Sequence, residues 1–337
     1  MGRAARETAE SRYPAVLRAA ARVRGLIEAA ADIRHHGQAG FGVGATAPWG
    51  STCSGCGNMA KADMARGRAG RAAELVVGAV VALLPSAIKV AVYRHIFGYE
   101  VGRGVKIGLS PFVGVRRCRI GDGARIGHLN LFYHVDDLSI DEQVKIGFLN
   151  IFRGGCIRLG AYASIFRMNF INSILEPDND GVAYPILDVG PATVITSGHR
   201  IDFTDRISIG ASTVIGGRGS ALWTHSRQRT RPIIVGAHCY LGSGVQIAPG
   251  VELADFCVVS LGAVLMGQFK EPRVLILGNP ARVERQLRLD ELPLVARSTR
   301  PDVPEDLARS SLPDDLRGLA GRPGPRSAHA REVELGQ

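Results

Sequence analysis

The stretch Val235-Gly-Ala-His-Cys-Tyr-Leu241-Gly-Ser-Gly-Val-Gln-Ile247-Ala-Pro-Gly-Val-Glu-Leu253-Ala-Asp-Phe-Cys-Val-Val259-Ser-Leu-Gly-Ala-Val-Leu265 carries an aliphatic residue at every sixth position. Four residues beyond the first five of these stand Cys239, Val245, Val251, Cys257 and Ala263, all of modest size. A helix repeats every 3.6 residues and a strand every two, so neither predicts a six-residue lock held this long. A triangular coil does, because every sixth residue then opens one flat face with its side chain pointing inward. Three faces make a turn of about eighteen residues, and stacked turns pair as parallel strands about 4.8 Å apart. The modest residue at the fourth place fits a corner where a bulky one would clash. The stretch therefore predicts a parallel β-solenoid.

The same phase recurs upstream at Ile120 and Ile126, Ile140 and Ile146, Val189, Ile195 and Ile201, and Ile209 and Ile215. Between these blocks the register slips by a residue or two, as loops inserted into a solenoid would make it do. A second repeat overlies the first. Ile126-Gly-His-Leu-Asn-Leu-Phe132 returns as Ile146-Gly-Phe-Leu-Asn-Ile-Phe152, and Asn130, Asn150 and Asn169 are expected to stack as a ladder of mutually bonded amides. Cys118, Cys156, Cys239 and Cys257 then read as small apolar filling.

Five segments follow from these patterns. Residues 1–70 form an Ala/Arg/Gly-rich leader, expected to be largely disordered. Val16, Ala20, Val23, Ile27 and Ala31 fall at helical spacing within it, and a start at Met59 or Met64 stays open. Residues 71–99 are apolar but interrupted by Pro85, too short a run to span a bilayer. They read as a helix covering the open end of the coil or lying on a membrane surface, with contact through residues 75–97. Residues 100–280 hold the coil, 281–295 an amphipathic capping helix, and 296–337 a Pro/Arg-rich disordered tail.

Composition limits the function classes. Apolar residues make up 46% of the 337, enough for a large core, while 42 glycines and 6% aromatics suit short strands and turns. The net charge of +10 lies mostly in the arginine-rich ends, which argues against a nucleic-acid groove. No early apolar run marks a secretory signal, so a reduced, cytoplasmic protein is expected, peripheral at most to the inner membrane face. Cys53-Ser-Gly-Cys56 lacks a second pair, and His128 and His134 lack a third ligand, so no metal is expected.

The hexapeptide run, Trp223-Thr-His-Ser226 and Gly278-Asn-Pro-Ala-Arg282 resemble the hexapeptide-repeat acyltransferase superfamily, over roughly residues 100–290. Its members include galactoside and maltose O-acetyltransferases and acetyltransferases of polysaccharide assembly. The resemblance implies left-handed winding, a homotrimer with active sites between subunits, and acetyl-CoA or a similar acyl-CoA as co-substrate. It implies no metal. The superfamily's histidine sits just before a Pro-aliphatic-aliphatic-aliphatic-Gly strand. Here Thr224-His225 precedes Pro232-Ile-Ile-Val-Gly236, so His225 is the matching general base. That chemistry suits imidazole, since a hydroxyl attacks a thioester poorly until a base near pKa 6.5 takes its proton.

His199, Asp202 and Trp223 are the candidate acceptor-binding residues. His199 alternatively stands at a solvated corner, Asp202 or Asp205 orients a histidine or caps a turn, and Trp223 stacks on a sugar or packs on the coil. Similarity assigns donor contacts to Ser243, Leu261, Arg282 and Arg285, with guanidinium groups meeting the nucleotide phosphates. Met266-Gly267 stands where many relatives carry Thr-Lys, so Lys270 is the substitute cation. The resulting expectation is an O-acetyltransferase acting on a hydroxyl of a sugar or envelope glycan precursor. The alternatives are an N-acyltransferase on an amino sugar or amino acid, and a catalytically silent trimeric scaffold.

Overall fold

The computed structural model describes residues 68–173, 185–226, 229–296, 300, 302–310 and 312–319. The segment expected to be a leader, apart from its last residues, lies outside them. A parallel β-solenoid of eight coils forms the body, each coil contributing one inward residue to each of three columns. The first column runs Val101, Ile120, Ile140, Leu159, Val189, Ile209, Val235, Leu253. The second runs Ile107, Ile126, Ile146, Ile165, Ile195, Ile215, Leu241, Val259. The third runs Phe112, Phe132, Phe152, Ile171, Ile201, Leu222, Ile247, Leu265. All are buried. Every aliphatic residue that the six-residue phase singles out stands in one of these columns. At about 1.5–3 kcal/mol per buried aliphatic side chain, they dominate the stabilisation, and no coil buries its own without a neighbour.

Two side-chain stacks reinforce the columns. Phe112, Phe132 and Phe152 lie ring on ring, with centroids 4.3 and 4.8 Å apart. At the corner between the second and third columns runs the asparagine ladder. Asn150 Nδ2 donates to Asn130 Oδ1 at 2.9 Å, and Asn169 Nδ2 to Asn150 Oδ1 at 3.0 Å. Each amide also donates to a backbone carbonyl: Gly147 O, Phe166 O and Thr196 O. The buried amides are thus satisfied mutually, as the repeated sequence implies.

The open first coil is closed by two helices, α1 (Arg68–Leu83) and α2 (Ser86–His95). Tyr93 of α2 packs over Phe112, and buried Lys89 donates to the carbonyls of Ile107 and Gly108, which have no coil above them. Arg94 bonds the carbonyls of Val101 and Gly102 in the same way.

The far end departs from the expectation. Residues 281–295 do not form one capping helix. Ala281–Gln286 is a strand, antiparallel to Val274–Gly278, and helix α3 spans only Leu292–Ala296. The physical reason is the edge that Val274–Gly278 would otherwise expose; a hairpin supplies the missing hydrogen-bond partners and a helix could not. Nor is 296–337 featureless. A short helix α4 (Glu305–Ser310) follows, and Leu312 and Leu316 pack with Leu292, Val295 and Phe256. Arg300 donates to the carbonyls of Tyr162 and Ala163, so this segment straps the coil at the corner between the first and second columns.

Candidate functional site

The coil lengthens after Leu222 to admit a small hairpin, His225–Ser226 paired with Arg229–Thr230, before the chain rejoins the first column at Val235. Thr224 anchors the hairpin. Its buried hydroxyl donates to Asp202 O at 2.9 Å and accepts from Asp205 N–H at 2.9 Å. Asp202 lies one coil earlier in direct register with Trp223. The loop therefore carries His225 back over Asp202, and His225 Nδ1 meets Asp202 Oδ1 at 3.1 Å.

This pair defines the site's chemistry. Asp202 is fully buried, whereas the His225 side chain is 26% exposed. A carboxylate accepts, so the Nδ1 of neutral His225 carries the proton and its Nε2 keeps a lone pair. The same carboxylate oxygen accepts from Thr204 Oγ1 at 2.8 Å, which fixes its orientation. Asp202 Oδ2 is buried without a hydrogen-bond partner among the described residues, and so is the Oδ1 of Asn172, its register neighbour one coil before. The indole of Trp223 stands edge-on to the imidazole, centroids 6.4 Å apart. Arg200 lies 4.7 Å over the Trp223 ring and 5.3 Å over Phe170, holding the indole against the coil.

His199 does not join this group. It is 1% exposed and continues the asparagine ladder by one rung. Its backbone N–H donates to Asn169 Oδ1, its Nδ1 accepts from Ser220 N–H at 3.1 Å, and its Nε2 lies 2.9 Å from Thr196 Oγ1. With both ring nitrogens engaged inside the coil, nothing remains for an acceptor. Burial pulls its pKa down to about 4, so the ring is neutral. The acceptor-binding expectation for His199 is therefore corrected to a structural rung.

Of the residues expected to contact a donor, Ser243 and Leu261 are exposed on successive coils at the ladder corner. Gly217 leaves room for the first: a Cβ there would lie 1.7 Å from Ser243 Oγ. His225 occupies the corner between the third and first columns, so one whole flat face separates it from Ser243 and Leu261 within a chain. Arg282 is exposed on the terminal hairpin. Arg285, in contrast, is clamped by Glu291, with two contacts of 2.7 Å, which pull the Glu291 carboxyl down to about 2. Its guanidinium fork is occupied within the chain. Among the described residues no group of three His, Cys, Asp or Glu side chains could hold a metal ion.

Sequence reasoning missed Thr224 and Thr204 as the groups that set the pair. The signal was available: Asp202 follows inward Ile201 and Trp223 follows inward Leu222, so the two share a register and the loop after Trp223 must begin above Asp202.

No family model matches the chain. A Saccharomyces cerevisiae protein provisionally named an acetyltransferase is 28% identical over 94 residues, 28% of this chain. The chain spans 39% of the length of that curated relative. Among solved structures, a hexapeptide-repeat acetyltransferase of Vibrio cholerae O1 biovar eltor, complexed with acetyl coenzyme A, is 16% identical. The match covers 65% of this chain and 87% of that chain, with a TM-score of 0.29. A maltose O-acetyltransferase from Clostridium difficile 630 is 16% identical, covering 44% and 70%, with a TM-score of 0.28. By its repeat and its coil, the chain is a parallel β-helix of six-residue repeats.

Proposed function

We propose that the chain is an acyl-CoA-dependent O-acetyltransferase acting on a hydroxyl of a sugar or cell-envelope glycan precursor. The observation that carries this reading is the pair His225–Asp202, an accessible imidazole oriented by a buried carboxylate. Nε2 of His225 takes the proton of the acceptor hydroxyl as its oxygen attacks the thioester carbonyl. The tetrahedral intermediate collapses by breaking the C–S bond, and the imidazolium returns its proton to the departing thiolate. Asp202 keeps the ring in the reactive tautomer and stabilises the imidazolium. Trp223 beside the base is placed to receive a sugar face, and backbone amides of the coil stabilise the thioester oxygen.

The working unit in this reading is a homotrimer of left-handed coils, with His225 of one chain facing the donor corner of the next. Two observations support it. Base and donor positions stand at different corners of a single chain, so a complete site needs two chains. The donor corner also carries exposed Leu129, Leu149 and Met168 at φ of 58°, 58° and 56°, where later coils use Gly198, Gly219 and Gly244. A left-handed backbone costs a side-chain-bearing residue about 1–2 kcal/mol. Burial between chains would offset that cost and remove the apolar stripe from water. Mixing tests the arrangement. Inactive His225→Ala chains combined with inactive Gly262→Trp chains should regain activity in mixed trimers; no regain would place each site within one chain.

A second reading is transfer to an amine. It is favoured by one observation, Asp202 Oδ2, which has no hydrogen-bond partner among the described residues and would receive an ammonium hydrogen. Comparing amino sugars with their hydroxyl counterparts as acceptors separates the two. A silent scaffold remains the outcome if no acyl-CoA is turned over.

A further inference from the structure

Helix α1 closes the first coil with its polarity reversed. Val77 and Val81 face the coil, and Gly78 passes so near the first strand of the third face that a Cβ would lie 2.7 Å from Val113 Cγ2. The opposite side carries Leu75, Val76, Val80 and Leu83, exposed by 47, 58, 38 and 74%. Between Arg71 and Lys89 the only charged residue is Glu74. A unit that merely ends a solenoid turns a polar side outward, because solubility requires it. Four aliphatic side chains together on the water side call for a partner that is not water.

The charges around this end indicate which partner. Arg94, Arg103 and Lys106 stand exposed on its rim, Arg94 also bonding the Val101 and Gly102 carbonyls and Arg103 lying 3.3 Å from Asp122. From Met1 through Arg71 the sequence holds eleven Lys and Arg against five Asp and Glu. None of the described helices is long and apolar enough to cross a membrane. An apolar helix side edged by cations matches the boundary of a bilayer with anionic headgroups, where both terms favour binding.

We propose that this end of the solenoid docks on an anionic lipid surface. Helix α1 lies in the plane of the interface, Leu75, Val76, Val80 and Leu83 enter the acyl boundary, and the rim cations meet headgroup phosphates. The coil then stands away from the bilayer. His225, in the loop leaving the sixth coil, sits about 25 Å beyond the first coil at about 4.8 Å per coil. Docking needs only one chain. If three chains stand with parallel axes, as in the trimer proposed above, three such ends share one plane and gain avidity.

Vesicle sedimentation of the full chain tests this without reference to catalysis. The probes are phosphatidylcholine vesicles with and without one-third phosphatidylglycerol. Expected are binding to the anionic vesicles, binding at least about tenfold weaker to phosphatidylcholine alone, and weakening as salt rises. Val80→Asp with Leu83→Asp should reduce binding about tenfold or more, with the unfolding midpoint and oligomeric mass unchanged. If that double variant misfolds, Leu83→Ser alone should give a smaller loss in the same direction. Three results would overturn the proposal: no binding to anionic vesicles, equal binding by folded variants, or variants whose oligomeric mass falls. The last would make α1 a contact between copies. Failure of the acetyltransfer assay would leave the sedimentation result standing.

Discussion

His225 Nδ1 lies 3.1 Å from Asp202 Oδ1 although twenty-three residues separate them in the chain. The solenoid makes this meeting possible: Asp202 pairs with Trp223 across adjacent coils, and the buried Thr224 hydroxyl ties the loop to the backbone of Asp202. The His225–Ser226 strand is thus held at its root by the regular part of the fold. Replacing Asp202 with Asn keeps the shape but removes the charge that favours the imidazolium. We expect Asp202→Asn to lower kcat by about 10–10³-fold, less than the roughly 10²–10⁴ attributable to the base itself, with KM for acetyl-CoA nearly unchanged. An unchanged kcat would reduce Asp202 to a structural residue.

The ladder gives a stability prediction. Asn150 donates to Asn130 Oδ1 and Phe166 O, while its Oδ1 accepts from both nitrogens of Asn169. Asn150→Leu leaves Asn169 N–H and one hydrogen of Asn169 Nδ2 buried without these partners, while Asn130 Oδ1 keeps the backbone N–H of residue 150; each orphan costs about 1–3 kcal/mol. Urea unfolding should show a loss of at least about 2 kcal/mol. A neutral result would mean that water enters the corner.

His199 carries a pH prediction. Its folded pKa, about 4, lies below the ordinary value of 6.5, so the unfolded chain binds more protons between these limits. The stability contributed by the neutral ring is complete above pH 6.5. It falls as the pH drops toward 4, by of order 3 kcal/mol in all. His199→Asn preserves a ladder amide and removes this titration. The difference in unfolding free energy between wild type and variant should therefore move in the variant's favour from pH 7 to pH 4.5. Acetyltransfer by the variant should persist at pH 7, and its loss would return His199 to the acceptor site.

On the donor side, Arg282 and Arg285 should separate. Arg282→Ala removes an exposed cation and should raise KM for acetyl-CoA about three- to tenfold. Arg285 is committed to Glu291, so Arg285→Ala should act mainly by loosening the terminal hairpin and lowering the unfolding midpoint. Equal KM effects would show that Arg285 leaves Glu291 when donor binds.

The columns were legible because an inward position every six residues admits only aliphatic or aromatic side chains. Ile120, Ile126 and Phe132 announce a coil before any pairing is known. The asparagine rungs were legible for the same reason, since Asn130 and Asn150 recur in identical surroundings. The rung at His199 was not, because Gly198 and Arg200 suggest an exposed corner and nothing local reveals that Asn169 lies beneath. The strand Ala281–Gln286 was hidden by apolar spacing that also fits a helix; the edge of Val274–Gly278, a tertiary feature, decided it. The strap from α3 to Leu316 escaped because its apolar residues hold no sustained period and prolines interrupt it. Phe256, Tyr162 and His238, displayed at φ of 59°, 61° and 56° on the strapped corner, give it a surface to cover.

The central claim is that His225, held by Asp202, is the base of an acyl transfer. The most direct measurement incubates the purified protein with acetyl-CoA and a panel of sugars, and follows acetylated product for wild type and His225→Ala. Transfer by wild type that falls at least about 10²-fold in the variant, with its oligomeric mass unchanged, is the predicted result. Equal transfer by both proteins, or transfer by neither, would contradict it.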